Sequence, residues 1–354
     1  MSATQSWSPG MNTETGVVVL VLVEGQAGEL TELSRQALTV GRALAGDLNA
    51  GDLCAGEPTG AGPVEVHGVT VGAGSDELAR QAGRYGAAVV HQLHHDLLTE
   101  YGPETWGAGL SHTITALEPV AVLAAASDRG SEVMAHAAAT LDLPLATNCL
   151  AVTPGPGPWA LRRVRWGGSL LEEGSLDAPV RLVTIAPHAI AASPVMDAAM
   201  PKVQPITPTI DAVLARTMVT DRVGTSTGVT LAEAPVVVGG GRGVGSADGF
   251  APLEELAELL GGKVGCSRVV TNSGWRPHAD QVGQTGTHIA PQIYIACGIS
   301  GAIQHWAGAK GSKHILAINT DPDANMVARA DYAVIGDLHE VVPAIVAALK
   351  ARNP

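Results

Sequence analysis

Apolar residues along this chain are distributed in two alternating ways. Short continuous runs such as GVVVLVLVEG (16–25), GAAVVHQL (86–93), AVLAAAS (121–127) and PLATNCLAV (144–152) have no polar face, which predicts strands covered on both sides. Between them, ELTELSRQALTVGRALAG (29–46) and SEVMAHAAATL (131–141) carry apolar positions three and four apart, the spacing of amphipathic helices. Strands alternating with helices predict a parallel sheet. A turn-rich loop, TPGPGPW (153–159), breaks the pattern, and RRVRWGGSL with PVRLVTIAPHAIA predicts an antiparallel appendage. The segment SPVMDAAMPKVQPITPT (193–209) holds Pro194, Pro201, Pro205 and Pro208 and predicts an inter-domain linker.

The alternation then restarts. APVVVGGG predicts a strand running into a glycine loop, APLEELAELLGG (251–262) a helix with a glycine C-cap, and CSRVVT a further strand. After a long irregular loop come strands in IYIACG, KHILAINT and DYAVIGD, a helix in AIQHWAGA, and a closing amphipathic helix in LHEVVPAIVAALKA. The fold class is therefore α/β, with two doubly wound, mostly parallel-sheet domains. The expected division is a disordered extension over 1–15, an N-terminal α/β domain over 16–208 and a second domain over 209–354.

Composition sharpens this picture. A length of 354 residues suffices for about two domains, and with 46% hydrophobic but only 3% aromatic residues the core must be aliphatic. A net charge of −13 excludes nucleic acid as the expected partner, since there is no basic excess to neutralise phosphates. Cys54, Cys149, Cys266 and Cys297 are scattered without a CxxC pair, which points to reduced thiols in a cytoplasm. The first fifteen residues lack the charged and apolar regions of a signal peptide, and no apolar run is long enough to span a bilayer, so the protein is expected not to be membrane-embedded.

Ligands of doubly wound sheets bind at the carboxyl ends of the strands, and there the polar turns collect. VVVGGGRGVGS (236–246) sets glycines and Arg242 after a strand, so backbone amides and a guanidinium can approach a phosphate. It is neither G-x-G-x-x-G, because Ser246 stands at the last glycine, nor a P-loop. Ser267 and Arg268 open CSRVVTNSGW, and Gln281, Gln284 and Thr285 lie in QVGQTGTHIAP. In YIACGISGAIQHWAG (294–308), Ser300 is expected near a helix N-cap, with Gln304 and His305 one turn on. Asn319, Asp321 and Asp337 end two further strands, where they can bond a ribose or base or simply cap turns. His91, His94, His95 and Asp96 in HQLHHD are possible metal ligands at helical spacing, but no second ligand cluster lies nearby.

The string GQTGTHIAPQIYIACGISGAIQHWAGAKGSKHILAINTDPDANMVARADYAVIGDL, with VVVGGGRGVGS and GCSRVV upstream, resembles the signature region of the electron transfer flavoprotein alpha subunit. The resemblance is close from about 234 to 350 and holds in pattern only before that. It implies a heterodimer with a beta subunit, and an FAD held mostly by a Rossmann-like C-terminal domain. It further implies Arg242 and Ser267 at the phosphate region and Arg268 over the flavin ring. Val282, Gly283, Gln284 and Thr285 would line the ring, with the threonine hydroxyl near N5. Ser300, Gly301, Ala302, Ile303, Gln304 and His305 would add contacts, with the histidine near O2, and Asn319, Asp337 and Leu338 would lie at the adenosine end. No residue is expected to be catalytic in itself; Arg268, Thr285 and His305 would tune the flavin, and no metal is implied.

The function so implied is an electron carrier, active in fatty acid oxidation, that takes electrons from flavin dehydrogenases such as acyl-CoA dehydrogenases. It would pass them to a membrane quinone oxidoreductase through an anionic semiquinone, with an AMP or a second FAD in the beta subunit. Two FADs would mark an electron-bifurcating variant. Asn272, Trp275 and Thr287 depart from residues common in the family and lie beside the flavin loop. A different class stays open on the residues alone. GTSTG (224–228) matches G-x-S-x-G, and GISGA around Ser300 nearly does, which would make Ser300 a hydrolase nucleophile. A non-catalytic nucleotide-binding subunit is the third reading.

Overall fold

A computed structural model describes residues 17–26, 28–50, 63–72, 76–166, 170–219, 230–232 and 234–352. The expected extension over 1–15, Cys54 and the GTSTG segment lie outside these residues. The chain divides into two compact units, one built from the described residues 17–165 and 170–219 and the other from 230–352.

In the first unit, β1 (Val18–Leu22), β4 (Glu65–Val71), β5 (Val89–Leu93), β6 (Ala121–Ala125), β7 (Leu145–Thr153), β8 (Trp159–Arg165), β9 (Leu170–Leu176), β10 (Arg181–Ile185) and β11 (Lys202–Ile206) form one sheet. Its order is β11-β5-β4-β1-β6-β10-β7-β8-β9, with parallel pairs from β11 to β7 and antiparallel pairs only between β7 and β8 and between β8 and β9. A two-residue ribbon of β2 (Gly25–Gln26) and β3 (Glu29–Leu30) follows β1. Each residue of β1 is buried because both faces are covered. Val19 and Val21 pack with Leu38 and Leu44 of α1 (Glu32–Ala50) and Ala79 of α2 (Asp76–Arg84). Leu20 and Leu22 pack with Leu110 and Ile114 of α3 (Pro103–Leu117) and Val133 and Met134 of α4 (Asp128–Leu141). A buried aliphatic side chain of this size contributes roughly 1.5–3 kcal/mol.

Two expectations for this unit change. The proline-rich 193–209 stretch is not simply a linker, because Lys202–Ile206 forms β11, parallel to β5. The strand holds Pro205 because it lies at the sheet edge, where a missing N–H costs no ladder bond. Residues 181–185 are not part of an antiparallel appendage either; β10 inserts in parallel between β6 and β7. The HQLHHD histidines do not share a helix, since His91 lies on β5 and a 3-10 turn covers Asp96–Leu98. No group of three or more His, Cys, Asp or Glu among the described residues is arranged to hold a metal.

The second unit is a five-stranded parallel sheet of order β13-β12-β14-β15-β16, made of β12 (Val236–Gly240), β13 (Lys263–Cys266), β14 (Ile293–Cys297), β15 (Ile315–Asn319) and β16 (Tyr332–Ile335). On one face, α5 (Ala251–Leu259) and α9 (Leu338–Arg352) bring Leu253, Leu256, Val342 and Val346 against Val238 and Ile295. Phe250, the only phenylalanine of the chain, is buried among them. On the other, Ala309 of α7 (Ile303–Ala309) and Met326 of α8 (Asn325–Arg329) pack with Val237 and Tyr294. This is a doubly wound α/β domain. The expected strand in CSRVVT is shorter than its β-branched run suggested. β13 stops at Cys266, and Arg268–Asn272 is a helical turn, α6, with Ser267 extended at its N-cap (φ −80°, ψ 158°).

Candidate functional site

The second sheet changes winding direction between two adjacent strands. From β12 the chain crosses to β13 on one side, then returns to β14 on the other. The turns leaving β12 and β14 therefore diverge, and the crevice between them is where such sheets take ligands. Here the two turns touch backbone to backbone: Gly241 N–H donates to Cys297 O at 2.8 Å and Gly243 N–H to Gly298 O at 3.2 Å. A Cβ on Gly241 would lie 2.2 Å from the Gly298 carbonyl oxygen, so only glycine permits the approach.

Beside this junction is an open cleft of about 320 Å³, lined in part by Arg242, Ser300, Asn319, Asp337 and Leu338. Five of the residues singled out in the sequence thus come from four separate turns to one place. Asn319 is held by its own bonds, donating from Nδ2 to Ile299 O at 3.1 Å while its Oδ1 accepts from Asp321 N–H. Asp337 Oδ1 accepts from His339 N–H at the start of α9, so one of its oxygens serves as a cap. Leu338 is buried in the core and supports the glycine turns from below. Ser300 is exposed, and it is not the helix cap: α7 begins at Ile303, and its N-cap is Ala302. The reason is Gly301, whose φ of 79° turns the chain before the helix starts.

A second group lies on α6, α7 and the loop between β13 and β14. Val282 N–H donates to Cys266 O, and Gln284 N–H to Gln304 O at 2.8 Å, so the loop is fixed to β13 and α7 at once. Gln281 braces it from beneath. Buried to 2% exposure, it accepts from the Thr271 hydroxyl at 2.8 Å and donates to Thr285 Oγ1 at 3.0 Å. Thr287 contributes its backbone N–H to Gln281 O. Trp275 packs at the edge of the core, and Asn272 is exposed at the end of α6. Gly308 abuts the same loop: a Cβ there would lie 2.4 Å from Gly283 N.

His305 is the buried polar group of this region, 7% exposed. Its Nε2 is 2.8 Å from the Tyr294 hydroxyl, and its Nδ1 has no hydrogen-bond partner among the described residues. Burial lowers its pKa to about 4, opposed only by the Val282 backbone. Such a ring is neutral at pH 7. Arg242 and Arg268 are both exposed, and neither forms an ion pair among the described residues. His305 is engaged by Tyr294 rather than Ser300, so among the described residues no Ser–His hydrogen bond is present to activate Ser300 as a nucleophile.

Comparison with known proteins fits this geometry. Residues 230–310 match the electron transfer flavoprotein FAD-binding domain, and residues 19–211 the electron transfer flavoprotein domain. The electron transfer flavoprotein subunit alpha of Bacillus subtilis is 35% identical over 96% of this chain and 99% of its own length. That of Syntrophomonas wolfei is 37% identical over 81% and 90%, and Protein FixB of Bradyrhizobium diazoefficiens 33% identical over 94% and 89%. The chain belongs to the electron transfer flavoprotein alpha subunit family.

Membership makes the second unit an FAD-binding domain and the chain an electron-carrying flavoprotein subunit that works beside a beta subunit. No helix among the described residues is long and apolar enough to cross a membrane. The residues present suit the cofactor. FAD carries a pyrophosphate and a ring carbonyl, and the described residues include the exposed guanidiniums of Arg242 and Arg268 and the buried Nδ1 of His305, which has no hydrogen bond of full geometry among them. The first unit offers less at its own crossover point between β1 and β6. There the protein's own Glu24 carboxylate accepts from the Ser127 hydroxyl at 2.5 Å beside the start of α4, and burial raises its pKa.

The sequence reading missed three contributors. Tyr294 is concealed in a strand whose pattern is that of core. Gln281 was noted only as a loop residue, and Gly308 only as part of a helix. None carries a local signal, because each acts through a contact distant in the chain.

Proposed function

We propose that FAD lies along the carboxyl edge of the second sheet, with Arg242, Ser267, Ser300, Asn319, Asp337 and Leu338 holding its phosphate and adenosine parts. Arg268, the segment Val282–Thr285 and the segment Gly301–His305 hold the ring. The observation that supports this assignment is the meeting of Arg242, Ser300, Asn319, Asp337 and Leu338, from four separate turns, on one cleft beside the crossover point. When bound, the flavin supplies one-electron chemistry. The protein's part is electrostatic: Arg268 and a neutral His305 donor lower the energy of negative charge developing on the ring.

In this reading residues 16–208 meet the beta subunit, residues 209–354 form the FAD-binding domain, and the beta subunit carries an AMP. The donors are flavin dehydrogenases such as acyl-CoA dehydrogenases, and the acceptor is a membrane quinone oxidoreductase. The compartment is the cytoplasm, which suits Cys149, Cys266 and Cys297 as free, buried thiols.

The purified alpha–beta pair is expected to be yellow, with one FAD and one AMP released on denaturation. A complex that stays colourless after FAD is added sinks the reading, and two FADs replace it by a bifurcating one. Within the yellow complex, His305→Ala and Arg268→Ala should each disfavour addition of the first electron by about tenfold, the effect of one charge-assisted hydrogen bond. Potentiometric titration of each variant gives that number. Unchanged potentials in variants that retain FAD would remove these two residues from the tuning role.

A further inference from the structure

We infer that Tyr294 is a positioning residue, whose hydroxyl fixes the proton of His305 on Nδ1 and so decides whether the imidazole meets the flavin as a donor or as an acceptor. The inference rests on the flavin reading above, and it comes from the hydrogen-bond inventory of two buried rings.

Tyr294 lies within β14 and is fully buried. Its hydroxyl has one hydrogen-bond partner among the described residues, His305 Nε2 at 2.8 Å, with the rings nearly stacked at 28° and 6.1 Å between centroids. One proton can be arranged across that contact in two ways. If Nε2–H donates to the phenol oxygen, the phenol hydrogen has no acceptor, and Nδ1 becomes a bare lone pair. If the phenol donates to Nε2, only an Nδ1–H is left open, and a ligand carbonyl can satisfy it. A buried polar group without a partner costs about 1–3 kcal/mol, so the second arrangement wins by one such group.

Among the described residues, the one other polar group acting on the imidazole is the Val282 backbone, which favours a proton on the ring and so does not oppose an Nδ1–H. Burial holds the Tyr294 phenol far above its ordinary pKa and pushes the thiols of Cys266 and Cys297, which lie within its electrostatic reach, up to about 12. The imidazole is itself neutral at pH 7. Tautomer, rather than charge, is therefore the variable the protein controls. The hydroxyl is also fixed in place by the sheet. Gly239 of β12 leaves it room, since a Cβ there would sit 2.2 Å from the Tyr294 oxygen.

The test uses the alpha–beta complex labelled with 15N-histidine, with the His305 signals identified by their loss in His305→Asn. In the parent, Nδ1 should show the shift of a protonated nitrogen and Nε2 that of an unprotonated one, unchanged from about pH 8 to 5.5. This measurement is independent of any variant's stability. In Tyr294→Phe the Nε2 lone pair loses its donor, so the share of the Nδ1–H form should fall, and the first-electron equilibrium should weaken by up to about tenfold, or about 59 mV for one electron. A parent ring protonated on Nε2 overturns the inference. So does a variant whose potential stays put while the tautomer moves, or in which neither changes. A complex that takes up no flavin overturns the functional reading, and the role with it, while the tautomer stays readable.

Discussion

Gly308→Ala is expected to strip most of the flavin from the complex. The added methyl would sit 2.4 Å from Gly283 N, 2.5 Å from its Cα and 2.8 Å from its carbonyl carbon, all backbone atoms with no rotamer to yield. Either α7 or the 281–287 loop must move, and the Gln284 N–H to Gln304 O bond of 2.8 Å ties each to the other. Overpacking of this kind costs about 1–3 kcal/mol in stability. The larger consequence is functional, because the loop and α7 carry most of the residues assigned to the ring. A displaced loop that loses two hydrogen bonds to the ring, at about 1–1.5 kcal/mol each, weakens binding by about two orders of magnitude. The ratio of flavin to protein absorbance after gel filtration, beside the melting temperature, separates the two effects. Full flavin content in a complex of parental stability would show that the loop tolerates the shift, and the close packing would then carry no functional weight.

Legibility of the chain followed the range of the interactions. β1, β12 and β14 were readable because a strand covered on both faces must be continuously apolar, and GVVVLVLVEG, APVVVGGG and IYIACG are. The site was readable where one turn held several cues together, as in GISGAIQH. Failures came where a contact invisible in the apolar pattern overrode residue preference. Val269, Val270 and Thr271 have strand propensity, yet the bonds from Val270 N–H and Thr271 N–H back to Ser267 O curl them into α6. Pro205 read as a breaker because a sequence does not say which strands lie at an edge. Tyr294 read as one more apolar core position, since its hydroxyl matters only through His305, eleven residues on. Ser300 looked like a cap because the turn made by Gly301 is set by contact with α8, where Met326 N–H donates to Ser300 O.

The first unit should lose stability as pH falls below about 6.5, through two buried histidines. His67 of β4 and His91 of β5 are buried side by side, with Nδ1 of the first 3.0 Å from Nε2 of the second. Burial lowers both pKa values, that of His91 to about 4 with a further push from His67, while Glu65 at 3.5 Å partly opposes the shift at His67. A histidine whose folded pKa lies below its unfolded value of 6.5 binds more protons unfolded. The stability held by the neutral ring is therefore fully present above about pH 6.5 and is lost as pH falls toward 4. The shift at His91 corresponds to about 3 kcal/mol across that window, and protonating one ring of the pair makes protonating the other harder. Urea unfolding of the complex at a series of pH values from about 7.5 to 4.5 should show the midpoint falling below about pH 6.5. His67→Val combined with His91→Val should flatten that slope, because valines fill the same sheet positions without a proton to gain. A parent midpoint constant from neutral pH to 4.5, or a double variant as acid-sensitive as the parent, would place the acid response elsewhere in the chain.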